Sequence, residues 1–163
     1  LSDNEIFLAR TKGVGIQTTE LLEDYCVTGP ARRACGTAMD LRVDEPYSSY
    51  EKFDVHVPLG EVGDCFDKYA VRVAEMRESA RIALRALESM PEGPARAEMP
   101  RVFKPPAGEA YSMVESPRGE LGVYLVSDGG PKPVRCKLRS PAMSNVSAIP
   151  AILAGRSEER RVG

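Results

Sequence analysis

A chain reversal between two apolar runs near the carboxyl end limits the possible folds of this chain more than any other feature. Pro117 fixes its own φ angle and begins a turn, with Arg118 and Gly119 at the tip. The run over 121–127 is rich in β-branched and aromatic residues, and Asp128 begins a second, glycine-rich reversal. The sequence therefore predicts a hairpin that holds one basic side chain out beyond its strands.

The segment after the second reversal is predicted to complete a small sheet. Apolar and basic residues alternate along it, with Val134, Cys136 and Leu138 on one face and Arg135, Lys137 and Arg139 on the other. We therefore expect a three-stranded antiparallel meander with one basic side. The basic side is interpreted as a solvated face, and the alternative is a docking face for an acidic partner subunit.

The longest regular element is a helix predicted over 64–90, with Asp64 as its amino-terminal cap. Apolar residues recur at spacings of three and four, which predicts one buried face: Tyr69, Val73, Met76, Ala80, Leu84 and Leu87. The other face is interpreted as solvated and carries Lys68, Arg72, Glu75, Glu78, Arg81 and Glu88.

Shorter elements complete an α+β fold. Thr18 or Thr19 can cap one short helix, and Pro30 suits the first position of another. Alternation over 53–57 predicts a short strand. Five prolines make 90–107 an extended connector between the helical part and the hairpin. The predicted fold is one long helix, several short helices and the three-stranded antiparallel meander.

Few side chains suit catalysis or metal binding. Cys26, Cys35, Cys65 and Cys136 form no Cys-x-x-Cys pair, which argues against a zinc ribbon, an iron-sulfur ligand set or a disulfide framework. They are interpreted as reduced, partly buried thiols. His56 is the one histidine and is interpreted as exposed. No catalytic and no metal-ligating residue is predicted.

Composition narrows the possible partners. The formal net charge is -2, which argues against nucleic acid as a main ligand, because phosphate binding normally needs a basic surface. No apolar run approaches the roughly 20 residues of a membrane-spanning helix. The chain starts without methionine and is interpreted as a fragment. We expect residues 1–155 to be part of one domain and 156–163 to be a non-native tail, similar to a translated sequencing adapter.

Three motifs carry a family resemblance. Residues 115–129 read Glu-Ser-Pro-Arg-Gly-Glu-Leu-Gly-Val-Tyr-Leu-Val-Ser-Asp-Gly, residues 28–36 contain Thr-Gly-Pro-x-x-Arg-Ala-Cys-Gly, and residues 63–76 contain Gly-Asp-x-x-Asp-Lys-Tyr-x-Val-Arg-x-x-Glu-Met. The motifs resemble the carboxy-terminal part of the D-subunit family of NADH-quinone oxidoreductase, or respiratory complex I, which is related to NiFe hydrogenase large subunits. Cys35 stands where that family usually has serine.

The resemblance runs from about residue 9 to 154 and implies a hydrogenase large-subunit-like fold. It implies a subunit of the quinone site, in a complex that moves electrons from NADH through iron-sulfur clusters to quinone, coupled to proton translocation. The connector is shorter than in many respiratory members, like that of deazaflavin-linked and ferredoxin-linked relatives, which leaves the donor open. The fragment alone is expected to be inactive and to bind no cofactor, with quinone and NAD as substrates of the complex.

Arg118 is the one site residue that carries over, because it stands at the family's basic position beside the quinone cavity. The family's other quinone residues would lie upstream of Leu1. A simple ion pair with a nearby carboxylate is the alternative role for Arg118.

The resemblance also implies partners and a location. The expected partners are the iron-sulfur small subunit, which holds the cluster, a neighbour of the C-subunit type and the membrane arm. The expected location is peripheral, on the cytoplasmic side of the cell membrane or the matrix side of a mitochondrial one. Two alternatives stay open: the large subunit of a membrane-bound NiFe hydrogenase, and a non-catalytic interaction module.

Overall fold

The computed structural model describes residues 2–94 and 96–154, and the predicted tail at 156–163 lies outside them. Within this part the chain has the predicted α+β composition of helices and one three-stranded sheet. The helices, in chain order, are α1 (Glu5–Thr11), α2 (Thr19–Asp24), α3 (Pro30–Arg33), α4 (Leu41–Asp44), α5 (Cys65–Glu88), α6 (Pro141–Ser147) and α7 (Ile149–Leu153), with a 3-10 turn at Tyr50–Lys52. The strands are β1 (Gly108–Ser116), β2 (Gly119–Ser127) and β3 (Arg135–Arg139).

Side-chain caps set where the helices begin. The Thr18 hydroxyl accepts a hydrogen bond from the Leu21 amide, and Asp64 accepts one from the Asp67 amide at 2.8 Å, so both predicted caps are confirmed. Gly29 precedes Pro30 at the start of α3, also as predicted. The first helix, α1, begins at Glu5, because the side chain of its cap residue, Asn4, accepts from the Phe7 amide.

The sheet is a meander in the order β1-β2-β3, antiparallel throughout. The β1-β2 register pairs Ser116 with Gly119, so the predicted reversal at Pro117-Arg118 is confirmed. Residues 90–94 and 96–107 form no helix or strand, as expected of the connector. The three basic residues of β3 share the same face, and Arg135 and Lys137 on it are exposed.

The predicted burial of α5 is wrong. The helix buries Val71 and Ile82, whereas Met76, Leu84 and Leu87 of the predicted core face are each more than 60% exposed (64%, 62% and 63%). Ala80 is also exposed, and Tyr69 and Val73 are partly buried. Part of the charged face of the helix, Glu75 and Glu78 above all, is turned inward, because these residues pair with arginines there.

Those inner charges belong to the face that was expected to be solvated. Lys68 donates to the Gly15 carbonyl at 2.8 Å, and Glu75 and Glu78 retain only 14% and 10% of their side-chain exposure. Glu78 pairs with Arg81, and it also accepts from the His56 amide at 2.9 Å. A period of 3.6 residues fixes which side chains share a face, but not which face turns inward.

The strand predicted over 53–57 is also wrong. Phe53, Val55 and Val57 are half-buried and alternate with exposed Asp54 and His56, yet the segment pairs with no strand in the described ranges. It runs along α5 instead, where Arg81 donates to the Asp54 carbonyl. The alternation therefore predicted correctly which side chains are partly buried, but it could not show whether another strand lies beside the segment.

Buried apolar side chains are few in the described ranges, and three of them, Leu22, Val27 and Ala148, form one cluster. Ala31, Cys35 and Ile152 pack against this cluster. It joins the amino-terminal helices to α6 and α7. All four cysteines were expected to be reduced, partly buried thiols. All four are free, but only Cys35 is partly buried, and Cys26, Cys65 and Cys136 are exposed.

Candidate functional site

A cavity of about 670 Å³ lies where α5, the α3–α4 region and the hairpin corner meet. Its charged lining is mostly basic and consists of Arg33, Arg42, Arg72, Arg118, Glu75 and Glu115. Uncharged atoms of Tyr50, Met76 and Pro117 also line it. A volume of this size is typical of small-molecule sites, which run from about 300 to 1,000 Å³.

The hairpin corner that carries Arg118 is locked against the loop before α3. Gly119 has φ +122°, and a Cβ atom there would lie 2.5 Å from the Thr28 hydroxyl oxygen. The same hydroxyl accepts a hydrogen bond from the Glu120 amide at 3.0 Å. Gly29 comes equally close from the other side, since its Cβ would lie 2.5 Å from Gly119 Cα. Because neither glycine has a side chain, the two backbone segments can lie in direct contact, and this contact fixes the position of the hairpin corner.

Arg118 itself is exposed at the cavity. Asn145 on α6 donates to its backbone carbonyl at 3.3 Å, so the residue is held through its main chain. Its guanidinium lies within 4.0 Å of no carboxylate among residues 2–94 and 96–154. The ion pair considered as its alternative role is not formed in this part of the chain.

Arg33 lies at the base of the cavity and is 1% exposed. Its Nε is 2.6 Å from Glu75 Oε1, and its Nη1 is 2.9 Å from Glu115 Oε1. Nη1 also donates to the Met39 carbonyl at 2.8 Å and lies 3.5 Å from Asp40 Oδ2. One buried cation thus joins α3, α5 and β1, because a charge this deep must be paired and hydrogen-bonded.

Arg42 completes this buried network. Its Nε and Nη2 bind both oxygens of Asp40, at 2.9 and 2.6 Å, in the two-pronged arrangement that suits a guanidinium and a carboxylate. Burial alone would raise the pKa of Asp40, but the hydrogen bonds and positive charge of Arg42, with the charge of Arg33, lower it. Asp40 therefore stays ionised although its side chain is fully buried.

Glu115 is a carboxylate of the network whose ionised form is disfavoured by burial. Burial raises its pKa, and the nearby charge of Arg33 offsets part of that rise. The Tyr47 hydroxyl accepts from the Glu115 amide at 3.1 Å, which fixes the end of β1 just before the corner. Counting formal charges, the two arginines (+2) and the three carboxylates (-3) leave this buried network at -1.

Sequence reasoning missed the network. Arg33 and Glu115 were noted only as parts of motifs, and Glu75 was expected on a solvated face. Arg33 lies 42 residues from Glu75 and 82 from Glu115, so no spacing rule could join them.

The other residues singled out in the sequence form no site. His56 is exposed, with Nδ1 3.1 Å from Arg81 Nη2. Across the described ranges no group of three or more His, Cys, Asp or Glu side chains is placed to hold a metal ion. None of the helices in those ranges combines the length and hydropathy that a membrane span needs.

A second cavity, of about 840 Å³, lies between the connector and the far end of the hairpin. Phe103, Pro105 and Leu125 are among its lining residues, and it is more apolar than the first. It shares no lining residue with the cavity at Arg118.

The fold and the cavity define an α+β chain built around an arginine-rich cleft at a hairpin corner. The family model described as "Respiratory-chain NADH dehydrogenase, 49 Kd subunit" matches residues 1–105 and 99–157, and this chain belongs to that family. The two matched stretches meet in the proline-rich connector.

Curated relatives agree with this assignment. The chain is similar to the NADH-quinone oxidoreductase D-subunit of Desulforamulus reducens, with 48% identity over 95% of this chain and 42% of that protein. The D-subunit of Dehalococcoides mccartyi is 46% identical over the same shares, and that of Bacillus thuringiensis is 46% identical over 96% of this chain and 43% of its own length. The chain thus spans well under half the length of these relatives.

Proposed function

We propose that this chain is part of the quinone-site subunit of a complex I type oxidoreductase. The complex passes two electrons from NADH, or from a deazaflavin or ferredoxin donor, through iron-sulfur clusters to a quinone. The quinone takes up two protons from water and leaves as quinol, and the reaction is coupled to proton translocation. In this proposal residues 1–155 belong to a larger hydrogenase-like domain, and the quinone, not a resident cofactor, meets this chain.

The observation that carries the proposal is the placement of Arg118. A corner locked by Gly119 against Thr28 presents its guanidinium at a cavity, with no carboxylate of the described chain beside it. A fixed cation stabilises negative charge as it develops on a reacting oxygen. A quinone that accepts electrons before protons develops that charge, so Arg118 would favour its anionic intermediate.

The proposal includes the surroundings of this polypeptide. Its partners would be the iron-sulfur small subunit, a neighbour of the C-subunit type and the membrane arm, and it would sit peripherally at the cytoplasmic or matrix face. The names of the relatives support the complex I assignment over the hydrogenase alternative.

The test is Arg118→Ala in the whole assembled complex. We expect quinone reduction to fall roughly tenfold or more, as when one charge-stabilising donor is removed. Arg118→Lys should keep much of the activity, because it keeps the charge. Arg77→Ala is the matched control, since Arg77 is an exposed arginine of α5 that does not line the cavity. Normal assembly with unaltered quinone reduction in Arg118→Ala would refute the proposal.

A further inference from the structure

We propose that Arg72 on α5 is a second binding residue for the quinone headgroup in the cavity that Arg118 faces. This inference rests on the proposed function, and it gives a role to Arg72, which the sequence analysis placed only within a motif and on the solvated face of the long helix. The two arginines come from different elements, one from the middle of a helix and one from a hairpin corner.

The first argument is that Arg72 lines the cavity and is not part of the buried ion-pair network. It is exposed, and within the described part of the chain it has no carboxylate within 4.0 Å. Glu75, one turn further along α5, lines the same cavity but is bound to Arg33. Arg72 therefore faces the cavity with its hydrogen-bond donors available.

The second argument is that two of the four arginines lining the cavity are paired with carboxylates of the described chain and two are not. Arg33 and Arg42 are held by Asp40, Glu75 and Glu115, so those three carboxylates are already occupied. Arg72 and Arg118 remain as the cations of the lining that can bind something else. The network beneath them is rigid because its charges are paired in several directions, and it holds α5 and the hairpin corner in fixed positions.

The third argument is chemical fit. A quinone has two carbonyl oxygens, and each can accept hydrogen bonds from a different guanidinium. Tyr50, Met76 and Pro117 give the rest of the lining the apolar surface that a flat headgroup needs. A guanidinium stays protonated in proteins, so neither arginine is a proton source for the quinol.

Arg72 and Arg118 are both permanent cations, so each would stabilise the bound quinone and the negative charge that develops on it. Loss of the hydrogen bond from Arg72 to the bound headgroup should raise the KM for quinone, and loss of its charge should also lower kcat.

The experiment compares Arg72→Gln with Arg77→Gln in the whole complex, using a short-chain quinone analogue as acceptor. We expect the KM for the analogue to rise about tenfold in Arg72→Gln, since the substitution removes a charge-assisted hydrogen bond to the headgroup. Arg72→Lys should lie between this variant and the unmodified complex. Donor oxidation with ferricyanide, which bypasses the quinone, should be unchanged in all variants.

Two outcomes would overturn the inference. One is a KM for Arg72→Gln equal to that of Arg77→Gln. The other is loss of assembled complex in Arg72→Gln, restored by Arg72→Lys with an unaltered KM, which would mean that Arg72 pairs with a carboxylate of another chain. If Arg118→Ala still reduces quinone reduction, the proposed function stands after either outcome. If neither the Arg72 nor the Arg118 variants change quinone reduction, both proposals are refuted.

Discussion

Arg33 on α3 and Glu115 at the end of β1 form a buried ion pair, with Nη1 and Oε1 2.9 Å apart. The pair joins residues 82 positions apart in the chain and places the hairpin corner over the long helix. Because Arg33 also binds Glu75 of α5, one side chain sets the relative positions of the three elements around the cavity.

Arg33→Met should destabilise the protein strongly. It removes the cation and leaves Asp40, Glu75 and Glu115 buried without it, and breaking a buried pair in this way costs about 3–5 kcal/mol. The control is Arg32→Met, which removes the neighbouring pair with the largely exposed Glu23, worth about 1 kcal/mol or less. Urea unfolding of the full-length protein would measure both, and equal losses would contradict the role given to Arg33.

Gly119→Ala should displace the corner that carries Arg118. The new Cβ would meet the Thr28 hydroxyl oxygen at 2.5 Å and the Thr28 carbonyl carbon at 2.7 Å, at a φ that side chains rarely adopt. We expect a loss of about 2 kcal/mol or more, and reduced quinone turnover in assembled complex. Gly129→Ala is the control, since φ there is also positive, +91°, but nothing lies within 4 Å of the added atom. Similar effects of the two substitutions would argue against the interlocked backbones.

Glu78 should make stability depend on pH in the acid range. Hydrogen bonds from Arg81 hold its pKa at about 2, below the ordinary value of 4.5. A lowered pKa means stability that is present above pH 4.5 and lost as pH falls toward 2, with a slope of at most about 1.4 kcal/mol per pH unit. Glu78→Gln should remove this slope in urea unfolding of the full-length protein between pH 5 and 3.

The matched control is Glu88→Gln, at the exposed carboxyl end of the same helix. An unchanged slope in Glu78→Gln, or the same change in Glu88→Gln, would show that the Glu78–Arg81 pair is not the source.

The 163-residue chain by itself should self-associate. Met76, Leu84 and Leu87 form an exposed apolar stripe on α5, and Val134 and Leu138 are each 65% exposed on the sheet. Leu84→Lys with Leu87→Lys should raise the soluble fraction, measured by size-exclusion chromatography with light scattering. A monomeric, cooperatively melting wild-type chain would contradict this expectation.

Local features could be predicted because they depend on neighbours in the sequence. The caps at Thr18 and Asp64 need a side chain and an amide three residues apart, and the corner at Pro117 needs a fixed φ. The family membership could also be predicted, since each of the family's motifs is a continuous run of residues. Of the residues of the candidate site, only Arg118 was named from the sequence, through the family resemblance, and its role there stays a prediction. The other lining residues could not be predicted.

What the sequence alone determined is the long helix, the three-stranded meander, the starts of two short helices and the presence of a cation at a sharp corner. The tertiary structure decided which face of α5 is inside, that 53–57 finds no partner strand, and that Arg33 is buried among three carboxylates. The physical reason is that helix and turn formation are governed by contacts within a few residues. Burial of charge depends instead on segments 42 and 82 positions away, which meet only when the chain has folded.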